Sequence, residues 1–151
     1  MDIANMLSRQ GRRLLQIGVA LLLALSLEGF AIPNLASAQL GLSAHRLAGL
    51  QSVLLLGLGL VWARLGLGVV ASRTAFWLLI YSTFAILGAY VMGAVWGAGS
   101  ETMRQAAGGA HGSAIQETVI MVLAYSSAPT GLISFALILW GLRLKADEGA
   151  V

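Results

Sequence analysis

Four long apolar stretches separated by short, more polar connectors run through the chain, and each predicts a membrane-crossing helix. Crossing a bilayer core takes about 20 predominantly apolar helical residues. The stretches at roughly 14–32, 44–62, 74–97 and 115–142 meet that length, the first stopped near Pro33. Of the connectors, only 97–113 is long enough to fold over a membrane surface. The expected fold is all-α: an integral-membrane bundle of four transmembrane helices, with residues 1–151 as a single membrane domain and 146–151 as a frayed tail. No internal repeat or low-complexity linker interrupts it.

In the third stretch Ala85, Ala89, Gly93 and Gly97 recur at every fourth position. A stripe of small residues lets a second helix approach closely, which is how membrane helices associate without a hydrophobic drive. The stripe serves either packing within a subunit or association between subunits. Gly57, Gly59, Gly66 and Gly68 offer similar contacts around the second stretch. Four short helices bury little on their own, so a homo-oligomer is expected.

Composition sharpens this reading. Of the 151 residues 58% are hydrophobic and 10% charged, whereas soluble domains carry about 25% charged residues. A net charge of +3 is compatible with nucleic-acid binding, but the basic residues flank apolar runs, as helix anchors do, so no nucleic-acid partner is expected. Arg9, Arg12, Arg13, Arg64, Arg73, Arg143 and Lys145 fall on one side, and Arg46 and Arg104 on the other. The positive-inside bias then places both termini in the cytoplasm, and 35–46 and 97–113 outside, in a bacterial inner membrane. The N-terminus also resembles a secretory signal, with Ala36-Ser37-Ala38 as its cleavage site, but its apolar run is long and contains Glu28. With no cysteine, disulfides, thiolate catalysis and cysteine-held metals are excluded.

Ionisable groups at membrane depth are costly and mark candidate sites. His45 sits at the outer end of the second helix, either as a ligand for haem iron or another metal or as a solvated interfacial residue. Gln51 lies about 9 Å deeper and about 120° around the helix, so the two do not share a face. Tyr81, beside Ser82 and Thr83, suits a hydrogen bond to a neighbouring helix, while Tyr90 lies at a level that can face His45. Glu28 can carry protons or pair with Arg46 or His111, and Glu117 and His111 decorate the long outer connector. His45 and His111 together also permit a bis-histidine haem. Phosphate-binding glycine loops, HExxH motifs and serine elbows are absent.

Gly29-Phe30-Ala31-Ile32-Pro33, Leu40-Gly41-Leu42-Ser43-Ala44-His45 and Gly49-Leu50-Gln51 resemble the first half of hydroxylaminobenzene mutases. The second half agrees in Tyr81-Ser82-Thr83-Phe84-Ala85, Trp96-Gly97-Ala98-Gly99 and Gly109-Ala110-His111-Gly112-Ser113 followed by Gln116-Glu117. A more distant likeness links this group to styrene oxide isomerases, four-helix membrane proteins that form trimers and hold haem b through a histidine. The resemblance implies His45 as axial ligand to the haem iron, Tyr90 as the substrate-facing tyrosine, and Gln51 where that family has a shorter asparagine. It also implies a homotrimer acting on a small aromatic substrate that enters from membrane lipid. The expected reaction rearranges an aromatic hydroxylamine to an aminophenol, with ferric iron as Lewis acid. The alternatives are an epoxide-to-aldehyde isomerase, a small proton-coupled multidrug transporter using Glu28, and an electron-transfer or structural membrane subunit.

Overall fold

The computed structural model describes the backbone of residues 2–148 and the side chains through Arg143. Its long helices are α1 (Ile3–Ala31), α2 (Ala38–Val61), α3 (Val69–Trp96) and α5 (Ala114–Glu148), with one short helix, α4 (Arg104–Ala107), in the connector before α5. All four long helices are long and apolar enough to cross a membrane. The end where α1 begins and α5 finishes is the basal end, and the opposite end is distal.

The helices outrun their apolar stretches. Hydropathy marks only the lipid-embedded part, whereas helical hydrogen bonding continues until a cap or breaker stops it. Asp2 caps α1 by accepting from the Ala4 amide, so the helix begins at Ile3, eleven residues ahead of the predicted start at Leu14. Ser37 caps α2 by accepting from the Leu40 amide, so His45 lies well inside a helix rather than at its end. Gly97, at φ +64°, closes α3 in the left-handed region that glycine enters without strain. The expected frayed tail is helical as far as Glu148, and residues 149–151 lie outside the described residues.

Packing pairs α1 with α2 and α3 with α5, and α2 joins the two pairs through α3. At the basal crossing of α1 and α2, a Cβ on Gly11 would come within 2.8 Å of the Gly59 carbonyl oxygen, and one on Gly59 within 2.9 Å of the Gly11 oxygen. Only paired glycines permit so close a backbone approach. The α3–α5 seam is held by hydroxyls: Ser82 Oγ donates to the Ser127 carbonyl and Ser134 Oγ to the Ala75 carbonyl, each at 2.8 Å. Without water to compete, such bonds replace the hydrophobic drive as the glue between helices.

Two apolar clusters result. The basal one gathers Leu14, Leu55, Trp62, Phe76, Leu79 and Ile138, and the distal one Leu40, Ala89, Ala94, Ala98 and Ile120. The small-residue stripe is consumed here. Ala85 and Ala89 are buried, and a Cβ on Gly93 would meet Ala98 O at 2.9 Å and Leu40 Cδ1 at 3.3 Å. It therefore serves packing within the subunit. Large apolar side chains instead cover the outside, among them Leu23, Leu27 and Phe30 on α1 and Leu50, Val53 and Leu60 on α2.

Candidate functional site

Near the distal end of the α1–α2 seam, His45 of α2 turns toward α1. Its Nδ1 is shielded from solvent, has no hydrogen-bond partner among the described residues, and lies 3.9 Å from Glu28 Oε2. Gly29 lies beside the ring, where a Cβ would meet Cε1 in ordinary van der Waals contact at 3.7 Å. About a third of the imidazole remains exposed. The expected partners of Glu28, Arg46 and His111, are replaced by His45. The hairpin brings them together: Glu28 in the last turn of α1 and His45 two turns into α2 face each other across the antiparallel pair.

Glu28 also borders a groove between α1 and α3. Leu21, Ala24 and Leu25 form one wall, Phe84, Leu87 and Val91 the other, and Ala48 of α2, three residues below His45, the floor. Its volume is about 290 Å³. The carboxylate is the one charged group in an otherwise apolar lining. The groove can hold a small aromatic ring out of water and present its polar end to Glu28 and His45.

Gln51 and Tyr90 belong to the neighbouring α2–α3 seam. Gln51 Oε1 accepts from Thr83 Oγ1 at 3.4 Å, a long bond. Tyr90 is half-buried against the distal cluster around Leu40 and Ala89 and enters no side-chain hydrogen bond among the described residues. Tyr81 contrasts with it, sharing a 2.8 Å hydrogen bond with Ser126 Oγ across the α3–α5 seam. Among the described residues no hydrogen bond links any two of His45, Gln51 and Tyr90. The separation of His45 and Gln51 between two seams follows from their offset around α2.

The expectation that Glu117 decorates the distal connector is corrected. Its side chain is 1% exposed. Oε1 accepts from the Gly99 amide at 2.8 Å and the Gly112 amide at 3.0 Å, and Oε2 accepts from the Glu101 amide at 3.3 Å. The carboxylate at the start of α5 thus gathers both ends of the connector. His111 is exposed, bonds Ser100 Oγ and stands 3.8 Å from Glu117. This region is architectural, and His111 belongs to it rather than to the His45 seam. A second buried polar node escaped the sequence reading: Gln10 Oε1 accepts from Trp62 Nε1 at 3.0 Å and Ser72 Oγ at 2.6 Å.

His45 has the chemistry an axial haem ligand needs. Metal-bound histidines characteristically turn one ring nitrogen toward a carboxylate or carbonyl and leave the other for the metal. Here the enclosed Nδ1 is 3.9 Å from the carboxylate, and about a third of the side chain remains exposed. The residue therefore fits that role.

The family model described as styrene oxide isomerase matches residues 10–143. Hydroxylaminobenzene mutase HabB of Ectopseudomonas oleovorans is 44% identical over 132 residues, covering 87% of this chain and 80% of the relative. Hydroxylaminobenzene mutase HabA of the same organism is 30% identical over 125 residues, covering 83% and 93% respectively. No solved structure matches the chain.

Proposed function

The chain belongs to the styrene oxide isomerase family and is an isomerase, and from that premise we propose that it rearranges an aromatic hydroxylamine to an aminophenol within the membrane. The N–O bond breaks, a C–O bond forms on the ring, and a ring proton passes to nitrogen, so no electrons are consumed. The observation that carries this reading is the His45–Glu28 pair at the distal end of an apolar groove of about 290 Å³. Leu21, Leu25, Phe84, Leu87 and Val91 would hold the arene and exclude water, which strengthens every polar interaction at its hydroxylamino end.

Haem b is the proposed cofactor; His45 would hold its iron, and bound there it would supply a Lewis acid for the departing oxygen. Glu28 would orient the imidazole through Nδ1. On the resemblance, Tyr90 and Gln51 are the proposed substrate-touching residues. Both lie in the α2–α3 seam rather than the groove lining, so in this role Tyr90 would donate to, and Gln51 would orient, a polar end of the substrate that reaches across to that seam. A homotrimer and a bacterial inner-membrane location with cytoplasmic termini complete the proposal. Arg9, Arg12, Arg13, Arg64, Arg73 and Arg143 at the basal end, against Arg46 and Arg104 at the distal end, support that orientation. The export reading loses ground because Glu28 sits three residues from the end of α1, against His45, rather than at mid-membrane.

Membranes containing the protein, offered phenylhydroxylamine and styrene oxide separately, test the proposal. An aminophenol from the first supports it. An aldehyde from the second without aminophenol moves the assignment to epoxide isomerisation, which the matched family model favours. Absorption spectra check the cofactor: a Soret band in the wild type, lost in His45→Ala, is expected, and its absence from the wild type removes haem from the mechanism.

A further inference from the structure

The α1–α3 seam holds a second site, at the basal end. Arg9, Gln10 and Arg13 of α1 face Arg73, Phe76 and Trp77 of α3 across a cleft of about 200 Å³. Residues 9 and 13, four apart, project from one face of α1. Among the described residues none of the three arginines reaches a carboxylate within salt-bridge distance. The nearest acidic residue along α1, Asp2, is engaged at the helix cap.

Gln10 adds an oriented donor. Its side chain is 8% exposed, and its carbonyl oxygen accepts from both Trp62 and Ser72. Because the indole N–H can only donate, the amide cannot flip, and its NH₂ group points away from that pair. Both side-chain hydrogen bonds of Gln10 among the described residues go to its oxygen, which leaves the NH₂ available, and Gln10 forms part of the cleft wall. Three guanidinium groups and a fixed amide donor thus line one recess, a donor set suited to a phosphate.

What continues from the cleft decides the class of ligand. Arg13, Phe76 and Trp77 also line an adjoining groove of about 150 Å³, whose remaining wall is Gln16, Ile17 and Ile80. Beyond it along the same seam, Leu21 and Phe84 begin the larger apolar groove. A free anion needs no such extension, whereas a phospholipid has a phosphate at the membrane surface and an acyl chain running into the apolar depth. We propose that the basal α1–α3 seam binds one anionic phospholipid, its phosphate held by Arg9, Arg13, Arg73 and Gln10 and one chain lying along Phe76, Ile17 and Ile80. α1 and α3 make few direct contacts, so the lipid bridges helices that the protein alone leaves loosely joined.

Native mass spectrometry of the full-length protein, released from nanodiscs of phosphatidylcholine with or without phosphatidylglycerol, tests this. Selective retention of phosphatidylglycerol is expected, falling about tenfold or more when Arg9→Gln and Arg73→Gln are combined. The matched pair Arg64→Gln and Arg143→Gln, basal arginines outside the cleft, should leave retention unchanged. Equal retention of both lipids, or equal losses in the two double variants, overturns the site. Displacement of the lipid by millimolar inorganic phosphate also overturns it, since the cleft would then read the phosphate without the chain. So does a disulfide cross-link between two copies of the Ile80→Cys variant, because a subunit would then occupy the seam.

Discussion

At the residue scale, the polar side chains divide by whether their hydrogen bonds are already spent. Tyr81 is spent on Ser126, and Tyr90 enters no side-chain hydrogen bond among the described residues. Tyr81→Phe should lower stability by about 1 kcal/mol and leave turnover intact. Tyr90→Phe should leave the melting curve unchanged and reduce kcat about tenfold or more, the loss of one hydrogen bond to developing charge. Turnover assays beside thermal melts in detergent separate the two, and an unaffected kcat in Tyr90→Phe removes that residue from the mechanism. Glu117 is the most heavily spent of these groups. Glu117→Ala strands the amides of Gly99, Glu101 and Gly112 and should cost on the order of 3 kcal/mol. Glu117→Gln, which keeps an acceptor oxygen, should cost less. The sequence marked Glu117 as acidic but gave no sign of its burial, because its partners are backbone amides that carry no side-chain signature. The glycines at 97, 99, 108, 109 and 112 were the available trace of such a turn-rich connector. The Glu28–His45 pairing, by contrast, joins two side chains that the sequence singled out separately, and only the packing of α1 on α2 sets them together.

At the element scale, the apolar pattern located all four long helices, and capping decided where they begin and end. Hydropathy could not find the basal start of α1 because Arg9, Arg12 and Arg13 interrupt it, although the Asp2 cap and the buried Met6, Leu7 and Gln10 extend the helix through them. The glycines of α2 looked alike in the sequence and are not. A Cβ at Gly59 meets the α1 backbone, whereas one at Gly57 meets nothing within 4 Å. Gly59→Ala should therefore force α1 and α2 apart and destabilise the protein by about 1–3 kcal/mol. Gly57→Ala should be neutral or stabilise by up to about 1 kcal/mol. Chemical or thermal denaturation of both variants distinguishes a specific crossing from a general tolerance for small residues. Equal effects would mean that the crossing is not as tight as the backbone distances require.

At the scale of the whole molecule, one asymmetry organises the chemistry. α1 is bound tightly to α2 and only loosely to α3, so the α1–α3 seam stays open while the other neighbouring seams close. Periodicity could not reveal this, because an open seam and a closed one are lined by the same aliphatic residues. On the proposed function, that openness would let an apolar substrate pass sideways from lipid to the Glu28–His45 end without crossing water. Filling it from the lipid side tests that route with little disturbance of the core. Ala24 is exposed on the groove wall, and Ala24→Phe should occupy much of the recess without touching His45 or Glu28. The expected result is an unchanged melting temperature and at least a tenfold lower kcat/KM, because a ring misplaced by about 1 Å already forfeits that much. The loss should grow as the substrate's ring substituents become bulkier. If Ala24→Phe instead turns over large and small aryl substrates as the wild type does, the substrate reaches His45 by another path, and the α2–α3 seam carrying Tyr90 and Gln51 becomes the place to look.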